Sequence, residues 1–313
     1  MELIRGLHNL RPEHAGCVLT IGNFDGVHLG HQAVLQQLKQ QAHALGVPAC
    51  VMLFEPQPLE LFIQHQAPAR LTRLREKYLA LARLGIDRLL CVRFHHAFAQ
   101  LQPELFIEQI LVQQLGVRFL IVGDDFRFGR ERRGDFALLQ QAGRRHGFAV
   151  VSTQSFCVDT QRVSSTLVRE ALGEGNLTQV QRMLGEPYTL SGRVAHGDKL
   201  GRTIGFPTAN VHLKRRRVPV SGVYAVEVLF SGQLHHGVAN VGVRPTVHGT
   251  RPQLEVHLFD FAGDLYGRQI QVRLCHKLRD EQKFESFAAL QQQIERDAQA
   301  ARAFFGLGSS TQQ

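Results

Sequence analysis

Long apolar runs and paired cysteines are both missing from this sequence of 313 residues. No apolar stretch reaches the ~18 residues that a membrane-spanning helix needs. The N-terminus lacks the basic head and apolar core of a signal peptide, so we expect neither a signal peptide nor a membrane partner. The five cysteines are far apart and none forms C-x-x-C. This spacing argues against a disulfide framework and a zinc site, and we expect a cytoplasmic protein.

Acidic residues are also in short supply, with 27 Asp and Glu against 36 Lys and Arg and a net charge of +9. An excess of this size favours polyanionic partners such as nucleotides, phosphorylated substrates or nucleic acid. The basic runs at residues 130–133 and 214–217 also suit solvated loops, so charge alone leaves the partner class open. The chain is longer than a single hydrophobic core usually supports, and we expect two domains.

Short apolar runs alternate with helical patterns up to about residue 185. The strand-like runs are residues 17–21, 49–54, 88–94, 119–122 and 148–152. The apolar spacing predicts helices over residues 31–45, 73–84, 104–115 and 136–145. Gly46 followed by Pro48 should end the first helix, and Asp135 should cap the fourth. Alternation of strand and helix implies parallel pairing, so we predict an α/β fold with a doubly wound parallel sheet.

The pattern of apolar residues changes after residue 185, where strand-like runs follow one another without helical patterns between them. The strand-like runs are now residues 189–194, 223–230, 234–241, 254–259 and 270–274. Ser231-Gly232 predicts a tight hairpin, and a helical pattern returns only over residues 281–305. We therefore predict a small antiparallel β-barrel domain with a C-terminal helix. Placing the joint at residues 185–187 predicts domains over 1–186 and 187–313.

The motif G-N-F-D-G-V-H-L-G-H at residues 22–31 joins the first predicted strand to the first helix. This junction is where doubly wound sheets bind nucleotides, and the helix N-terminus favours phosphate. His28 and His31 are three residues apart at a helix start, so they can face one phosphate group. An imidazole can donate to phosphate oxygens and stabilise the charge that develops during transfer.

These ten residues resemble the signature of the nucleotidyltransferase superfamily, and specifically its flavin-synthetase branch. Three more segments match that branch: F-E-P-Q-P at 54–58, G-D-D-F-R-F-G at 123–129 and R-V-S-S-T-L-V-R at 162–169. We assign no role to Gln57, where many relatives carry His or Asn. The resemblance implies FMN adenylyl transfer, in which the FMN phosphate attacks the α-phosphorus of ATP and forms FAD and pyrophosphate. It implies ATP binding by Gly22, Phe24, Asp25, His28, His31, Asp125, Arg162, Ser165, Thr166 and Arg169.

The second half lacks G-x-x-x-x-G-K-[ST], which excludes a P-loop kinase. It carries instead G-D-K-L-G-R-T-I-G-F-P-T-A-N at residues 197–210, a glycine-rich segment with a lysine and an arginine to meet phosphates. Thr208 and Asn210 would lie on one face of an extended chain, as two hard oxygen ligands for Mg²⁺. The segment resembles the riboflavin kinase family, whose mark is P-T-A-N. The match continues through residues 222–225, 240–246, 254–257, 265–267 and 279–284.

The resemblance implies that this half phosphorylates riboflavin to FMN with ATP. Glu255 matches the catalytic glutamate of the family and would accept the proton of the ribityl 5′-hydroxyl. Alternation with apolar residues puts Glu255 on the opposite strand face, and we expect His257 to point in another direction. The implied ATP-binding residues are Gly197, Lys199, Gly201, Arg202, Thr208 and Asn210. Thr208 and Asn210 are the implied metal ligands, and Arg279 is the implied flavin-binding residue.

Together the segments resemble the bacterial bifunctional riboflavin kinase/FMN adenylyltransferase (FAD synthetase) family. The implied partners are riboflavin, FMN, FAD and ATP, with Mg²⁺ as cofactor. A nucleic-acid-binding module is an alternative, because H-x-G-H also occurs in aminoacyl-tRNA synthetases, but no K-M-S-K-S-like loop is present and we expect no nucleic-acid partner. A flavin carrier without turnover is a third class, and it would need damage at the catalytic positions, where we see none.

Overall fold

The computed structural model describes residues 1–153, 157–158, 161–196, 206–246 and 249–308, with the backbone alone at 157, 158, 161, 244–246 and 249–251. Contacts divide the chain into two compact units. Unit 1 comprises Met1–Pro68 with Thr72–Ser164, and unit 2 comprises Ala69–Leu71 with Ser165–Gln313. The joint expected at residues 185–187 falls inside unit 2, and the functional boundary there stays a prediction. In the part of the chain described, no helix is long and apolar enough to cross a membrane.

A six-stranded sheet forms the centre of unit 1. Its strands are β1 (Glu2–Arg5), β2 (Cys17–Ile21), β3 (Ala49–Glu55), β4 (Arg88–Arg93), β5 (Val117–Val122) and β6 (Ala149–Ser152). The order is β1-β4-β3-β2-β5-β6 and every neighbouring pair is parallel, which confirms the predicted doubly wound sheet. The chain order reverses between β2 and β5, and ligands bind such sheets at the carboxyl ends of the strands beside this point.

Helices follow the strands of unit 1. They are α1 (Leu29–Leu45), α2 (Pro58–Phe62), α3 (Leu74–Arg83), α4 (His96–Ala99), α5 (Pro103–Leu105), a π-helix (Phe106–Gln114) and α6 (Phe136–His146). Short 3₁₀ turns occur at Leu7–Asn9, Pro12–His14, Gln64–Gln66 and Arg130–Arg132. Gly46 ends α1 at φ +62°, a left-handed conformation that glycine adopts readily. The carboxylate of Asp135 accepts from Leu138 N at 2.9 Å, so the predicted cap of α6 is confirmed.

Two apolar layers bury the two faces of the sheet. Successive residues of β2 point in opposite directions, so Val18 enters one layer and Leu19 the other. Leu35 of α1 and Leu81 of α3 join Val18 in its layer, whereas Leu111 of the π-helix joins Leu19. With helices covering both faces, only the edges of the sheet are left for ligands, and the loops at its carboxyl edge can build a site.

Unit 2 contains a closed barrel with strand order β10-β13-β12-β11-β14-β9. Its strands are β9 (Thr189–Ala195), β10 (Ala209–His212), β11 (Gly222–Phe230), β12 (Gln233–Thr246), β13 (Gly249–Leu258) and β14 (Gln269–Arg279). All pairs are antiparallel, as predicted. Ser231 and Gly232 form the two-residue hairpin turn between β11 and β12, both with positive φ, which confirms that expectation.

The remaining elements in the described residues are a two-stranded ribbon and three helices. They are β7 (Cys157–Val158), β8 (Gln161–Arg162), α7 (Ser165–Glu174), α8 (Leu177–Leu184) and α9 (Phe287–Phe304). Helix α9 lies on the barrel through Ala298 and Ala301, whose small side chains allow close approach to Val223 and Val238. It begins later than the predicted residue 281 because Ser286 caps it, its hydroxyl accepting from Ala289 N at 3.1 Å.

Unit 2 also holds a short piece of chain whose neighbours on both sides belong to unit 1. Arg215 Nη1 donates to the carbonyls of Arg70 and Leu71 at 2.9 Å each. The Tyr188 hydroxyl donates to Leu71 O at 3.0 Å, and Arg169 Nε donates to Ala69 O at 2.6 Å. Tyr188 and Arg215 are both buried, so these carbonyls satisfy donors that water does not reach.

Candidate active sites

The first site begins where β2 ends and α1 starts. His28 is the N-cap of α1, and its Nδ1 accepts from His31 N at 3.3 Å. The two imidazoles stack with centroids 3.7 Å apart and planes 18° apart, and the ring of Phe24 lies 4.9 Å from that of His31. The motif therefore holds both histidines in one orientation at a helix N-terminus, where backbone N–H groups favour phosphate.

The environment of His31 decides its charge. Burial, followed by electrostatic repulsion from His28 and Lys77, holds the pKa of His31 well below its ordinary value of 6.5. His31 is therefore neutral at pH 7 and carries a hydrogen on one ring nitrogen only. Its buried Nδ1 has no hydrogen-bond partner within the described ranges. A neutral, oriented imidazole can form a hydrogen bond to a phosphate oxygen but not an ion pair with it.

Asp25 anchors the loop from inside. Its carboxylate is 2% exposed and accepts from both the backbone N and the hydroxyl of Thr72, at 2.9 and 3.1 Å. The same hydroxyl accepts from Gly26 N at 2.9 Å. Phe24 and Val27 adopt positive φ although neither is glycine, so surrounding contacts must hold this backbone. Asp25 supports the loop through Thr72, and a direct contact with ATP stays a prediction.

Lys77 is a functional candidate that the sequence analysis missed. It lies on α3, is 0% exposed, and donates from Nζ to Asn23 O at 2.5 Å. A lysine is rarely buried this completely, and this one places an amine directly behind the loop at residues 22–31. Leu74, Lys77 and Leu81 share one helical face, so a cation at an otherwise apolar position was the available signal.

The other residues assigned to this site lie in several places. A Cβ at Gly22 would lie 3.2 Å from the ring of Phe24, so a larger residue would have to displace that ring by a few tenths of an ångström. Asp125 is exposed in the turn after β5, the strand next to β2, and Arg162 is exposed in β8. Ser165, Thr166 and Arg169 lie on α7, which belongs to unit 2.

A chain of phenylalanines extends from the carboxyl ends of β3 and β4. Neighbouring rings are 5.3–6.3 Å apart between centroids, in edge or tilted contact except for the stacked last pair. In order they are Phe62, Phe94, Phe54, Phe98, Phe106, Phe128 and Phe126. Phe62 is 56% exposed at one end of this chain. The amide Nε2 of Gln57 is buried with no hydrogen-bond partner in the described part of the protein. The sequence analysis missed the cluster, although the chain carries 20 phenylalanines.

The second site is a cavity of about 500 Å³ in the barrel unit. It is lined by the predicted residues Thr208, Asn210, Glu255 and Arg279. Strand pairing brings them together, because Glu255 on β13 is the register partner of Asn210 on β10 and of Asn240 on β12. Three polar side chains thus form a row across neighbouring strands on the cavity wall. Gly197, Lys199, Gly201 and Arg202 lie outside the described residues.

His257 also lines this cavity, so the expectation that it points away from Glu255 is wrong. Residues two apart on a strand share a face, and both side chains follow that rule. Burial lowers the pKa of His257, and its hydrogen bond with Pro207 O, at 2.9 Å, opposes the shift.

Arg279 enters the cavity with its guanidinium already engaged. Nε and Nη2 bind the carboxylate of Asp297 on α9 at 2.9 and 2.7 Å, and Nη1 donates to Asp280 O at 2.9 Å. Asp297 is 6% exposed and also accepts from Gln293 Nε2 at 2.9 Å. The pair fixes α9 to the end of β14. Flavin binding by Arg279 stays a prediction, and Asp297 is a supporting residue that spacing in the sequence did not reveal.

Most of the remaining cavity wall is apolar, although Glu281 and Gln282 also line it. The apolar side chains include Phe206, Val223, Val238, Phe284, Phe287, Leu290 and Ile294. Phe287, Leu290 and Ile294 come from α9, so the helix supplies one wall and the barrel the other. A cavity with an apolar slot at one side and a polar row at the other suits a molecule with a flat aromatic part and a hydroxyl-bearing chain.

Comparison with known proteins assigns both units. The FAD synthetase family profile matches residues 10–167 and the riboflavin kinase family profile matches residues 184–305. The chain belongs to the bifunctional riboflavin kinase/FMN adenylyltransferase family.

Relatives of this name match along almost their full length. The Escherichia coli K12 protein is 60% identical over 98% of this chain and 99% of its own. The Haemophilus influenzae protein is 54% identical, over 97% of this chain and 99% of its own. A solved structure described as a macrolide-efflux protein from Streptococcus pneumoniae is 29% identical, with a TM-score of 0.80 over 96% of this chain and 99% of that one. The predicted family and its order of domains are confirmed.

The two family profiles leave residues 168–183 unmatched, which are most of α7 and α8. Arg169 therefore lies two residues beyond the end of the FAD synthetase profile, in a helix that unit 2 contains. Its side chain donates to the carbonyl oxygen of Ala69. Ala69 is one of the three residues of unit 2 that come from the first half of the chain. Arg169 thus binds backbone here, and its contact with triphosphate stays a prediction.

Proposed function

We propose that the stacked histidines of unit 1 carry adenylyl transfer and that the barrel cavity of unit 2 carries phosphoryl transfer. The chain is a bifunctional transferase that phosphorylates riboflavin to FMN and adenylylates FMN to FAD. ATP is the co-substrate of both reactions, so each site has to accommodate a triphosphate beside its flavin substrate.

The row of Asn210, Glu255 and Asn240 carries the assignment of the kinase site. Glu255 accepts the proton of the ribityl 5′-hydroxyl while that oxygen attacks the γ-phosphorus, and ADP leaves. Thr208 and Asn210 present hard oxygens beside this carboxylate, and such ligands fit a Mg²⁺ ion that also binds phosphate oxygens. When bound, the ion neutralises charge on the transferring phosphoryl group. The apolar wall of α9 receives the isoalloxazine ring and keeps water from the reacting oxygen.

The adenylyl transfer needs no strong base, because the attacking FMN phosphate is already an anion. Its oxygen attacks the α-phosphorus of ATP and pyrophosphate leaves, so rate depends on positioning and on stabilising the developing charge. His28 and His31 supply oriented ring N–H donors at the N-terminus of α1, and Lys77 supplies positive charge behind them. The exposed end of the phenylalanine cluster, at Phe62, offers a flat apolar surface for the flavin ring.

The test is a time course of the purified chain with riboflavin, ATP and Mg²⁺, resolved by chromatography. FMN should appear first and then FAD. The ADP formed should equal the sum of FMN and FAD, and the pyrophosphate formed should equal FAD. Excess EDTA should stop both steps, and Mg²⁺ added above the chelator should restore them. Flavin that binds without conversion would contradict both assignments. Undiminished phosphorylation in EDTA would contradict the metal role of Thr208 and Asn210 alone.

A further inference from the structure

Gln253 lies beside the row of Asn210, Glu255 and Asn240 in the kinase cavity. Its side chain is hydrogen-bonded to Asn210 and to Glu255. It is two residues before Glu255 on β13, so both side chains leave the same face of the strand. Its Nε2 is 2.6 Å from Glu255 Oε1 and 3.0 Å from Asn210 Oδ1. Because the strand register pairs Asn210 with Glu255, the one amide nitrogen of Gln253 reaches oxygens of both side chains.

The chemistry of a primary amide explains the geometry. The nitrogen carries two hydrogens, and here each has its own acceptor: one the Glu255 carboxylate, the other the Asn210 side-chain oxygen. A hydrogen bond to an ionised carboxylate is about twice as strong as one between neutral groups, so the first contact fixes the carboxylate firmly. The second requires Asn210 to turn its oxygen toward Gln253, because its NH₂ group cannot accept. Oxygen is also the atom that a magnesium ion needs.

Strand pairing does not need these contacts. Backbone pairing already fixes β10 against β13 through Ala209 with Val256 and Val211 with Leu254. The Gln253 amide is therefore not needed to hold the backbone. Its contribution is to orient the side chains of Glu255 and Asn210. Nothing in the motif P-T-A-N or in the alternation around Glu255 pointed to Gln253, since the link joins residues 43 apart in the chain.

We propose that Gln253 is a positioning residue for riboflavin phosphorylation, in which one side-chain amide orients both the base carboxylate and the metal-binding amide. This inference rests on the proposed roles of Glu255 and Asn210. It predicts that a single substitution disturbs proton removal and metal binding together. A displacement near 1 Å at a reacting group can cost about 10²-fold in rate, so we expect kcat to fall by roughly 10- to 100-fold.

The test substitution is Gln253→Met in the full chain, which keeps the length and removes both donors. The kcat of riboflavin phosphorylation should fall as stated, and the Mg²⁺ concentration for half-maximal rate should rise several-fold. FAD synthesis from supplied FMN should be unchanged. Gln271→Met is the matched control, because Gln271 is exposed on β14 and lies outside the cavity lining. It should match the parent in all three measurements.

A double-mutant cycle separates positioning from packing. In the Glu255→Gln background, Gln253→Met should lower kcat by less than threefold, because the carboxylate it orients is gone. A full additional loss in that background would overturn the proposal, as would a parent-like kcat and Mg²⁺ requirement of Gln253→Met alone. If Gln253→Met unfolds the barrel, Gln253→Ser replaces it and must show the same coupling. Parent activity of Glu255→Gln by itself would instead overturn the proposed base.

Discussion

Glu255 makes the sharpest prediction at the scale of single residues. Glu255→Gln keeps the size of the side chain but cannot take up the hydroxyl proton. A positioned base contributes about 10²–10⁴-fold, so kcat for riboflavin phosphorylation should drop by that order with smaller changes in KM. Both activities are measured on one preparation, and FAD synthesis from supplied FMN should stay near the parent value. A parent-like kinase rate would leave phosphoryl transfer to metal and positioning alone.

The stacked histidines predict the reverse pattern. His28→Ala or His31→Ala removes an oriented donor from the start of α1. Losing one such donor typically costs about 10²–10³-fold, so FAD formation should fall to that extent while FMN formation continues. His43→Ala, an exposed position on the same helix, is the control and should retain both activities. Near-normal FAD synthesis in both variants would exclude the phosphate role of this turn.

His31 also predicts how stability depends on pH. Its pKa in the folded protein lies well below 6.5, so the folded state stays neutral while the unfolded state takes up a proton. The stabilisation is present above pH 6.5 and is lost as pH falls toward the folded pKa, by about 1.4 kcal/mol for each unit. Thermal midpoints at pH 7.5 and 5.5 should therefore differ less in His31→Asn than in the parent. The exposed His43→Asn variant should retain the parent difference, and an equal difference in all three proteins would contradict the argument.

Single residues also show what a sequence can reveal about a site. The histidines, Thr208, Asn210 and Glu255 belong to short motifs, and adjacency in the chain made them visible. Lys77, Gln253 and Asp297 act on residues 54, 43 and 18 positions away, and only the folded strands and helices bring them together. A buried lysine left a trace because it breaks an apolar helix face. A strand glutamine leaves none.

At the scale of elements, helix α9 depends on one buried ion pair. Asp297→Asn removes the charge opposite Arg279 but keeps the shape. Hydrogen bonds to charged groups contribute about 1.5–3 kcal/mol, so the unfolding free energy of unit 2 should fall by roughly that amount. The KM for riboflavin should rise as well, because α9 forms the apolar wall of the cavity.

The control for this prediction is the pair between Arg302 and Asp260. Their closest nitrogen and oxygen are 2.8 Å apart, but the Asp260 side chain is 68% exposed. Exposed pairs contribute about 0–1 kcal/mol, so Asp260→Asn should change stability and KM little. Equal losses in the two variants would mean that burial at Asp297 does not matter.

Elements were predictable where they are long and regular. The parallel strands β2 to β6, the helices α1, α3 and α6, and most barrel strands agree with the apolar period. β1 and β10 were missed because each has only two apolar residues among its four, whereas β6, which is equally short, lies in the apolar run 148–152. The predicted helix over residues 104–115 instead starts as α5 and continues as a π-helix, a change of hydrogen-bond pattern that side-chain spacing does not encode.

At the scale of the whole molecule, the two activities should separate, with a cost. A fragment of residues 187–313 should phosphorylate riboflavin and fail to adenylate FMN, and a folded fragment without kinase activity would contradict the assignment. It should also unfold at a lower temperature than the barrel does in the full chain. It lacks the carbonyls of Arg70 and Leu71, which accept from the buried side chains of Tyr188 and Arg215.

A substitution tests this explanation. Arg215→Met should lower the unfolding temperature of unit 2 in the full chain, where it removes hydrogen bonds to both carbonyls. In the fragment both carbonyls are absent and only the hydrogen bond from Arg215 Nη1 to the Tyr188 hydroxyl, at 3.0 Å, remains, so the same substitution should have a clearly smaller effect. An equal effect in both proteins would mean that the role of Arg215 is independent of residues 69–71.

The path of the chain through Ala69–Leu71 also bears on how such a protein could be divided into separate genes. One cut cannot yield two complete units, because three residues of the kinase unit are encoded within the adenylyltransferase half. A free-standing kinase descended from this arrangement would have to supply carbonyl oxygens from a new segment or replace the arginine that binds them. In proteins that descend from this arrangement but have lost the first half, we therefore expect a substitution at position 215 or a new segment that binds Arg215.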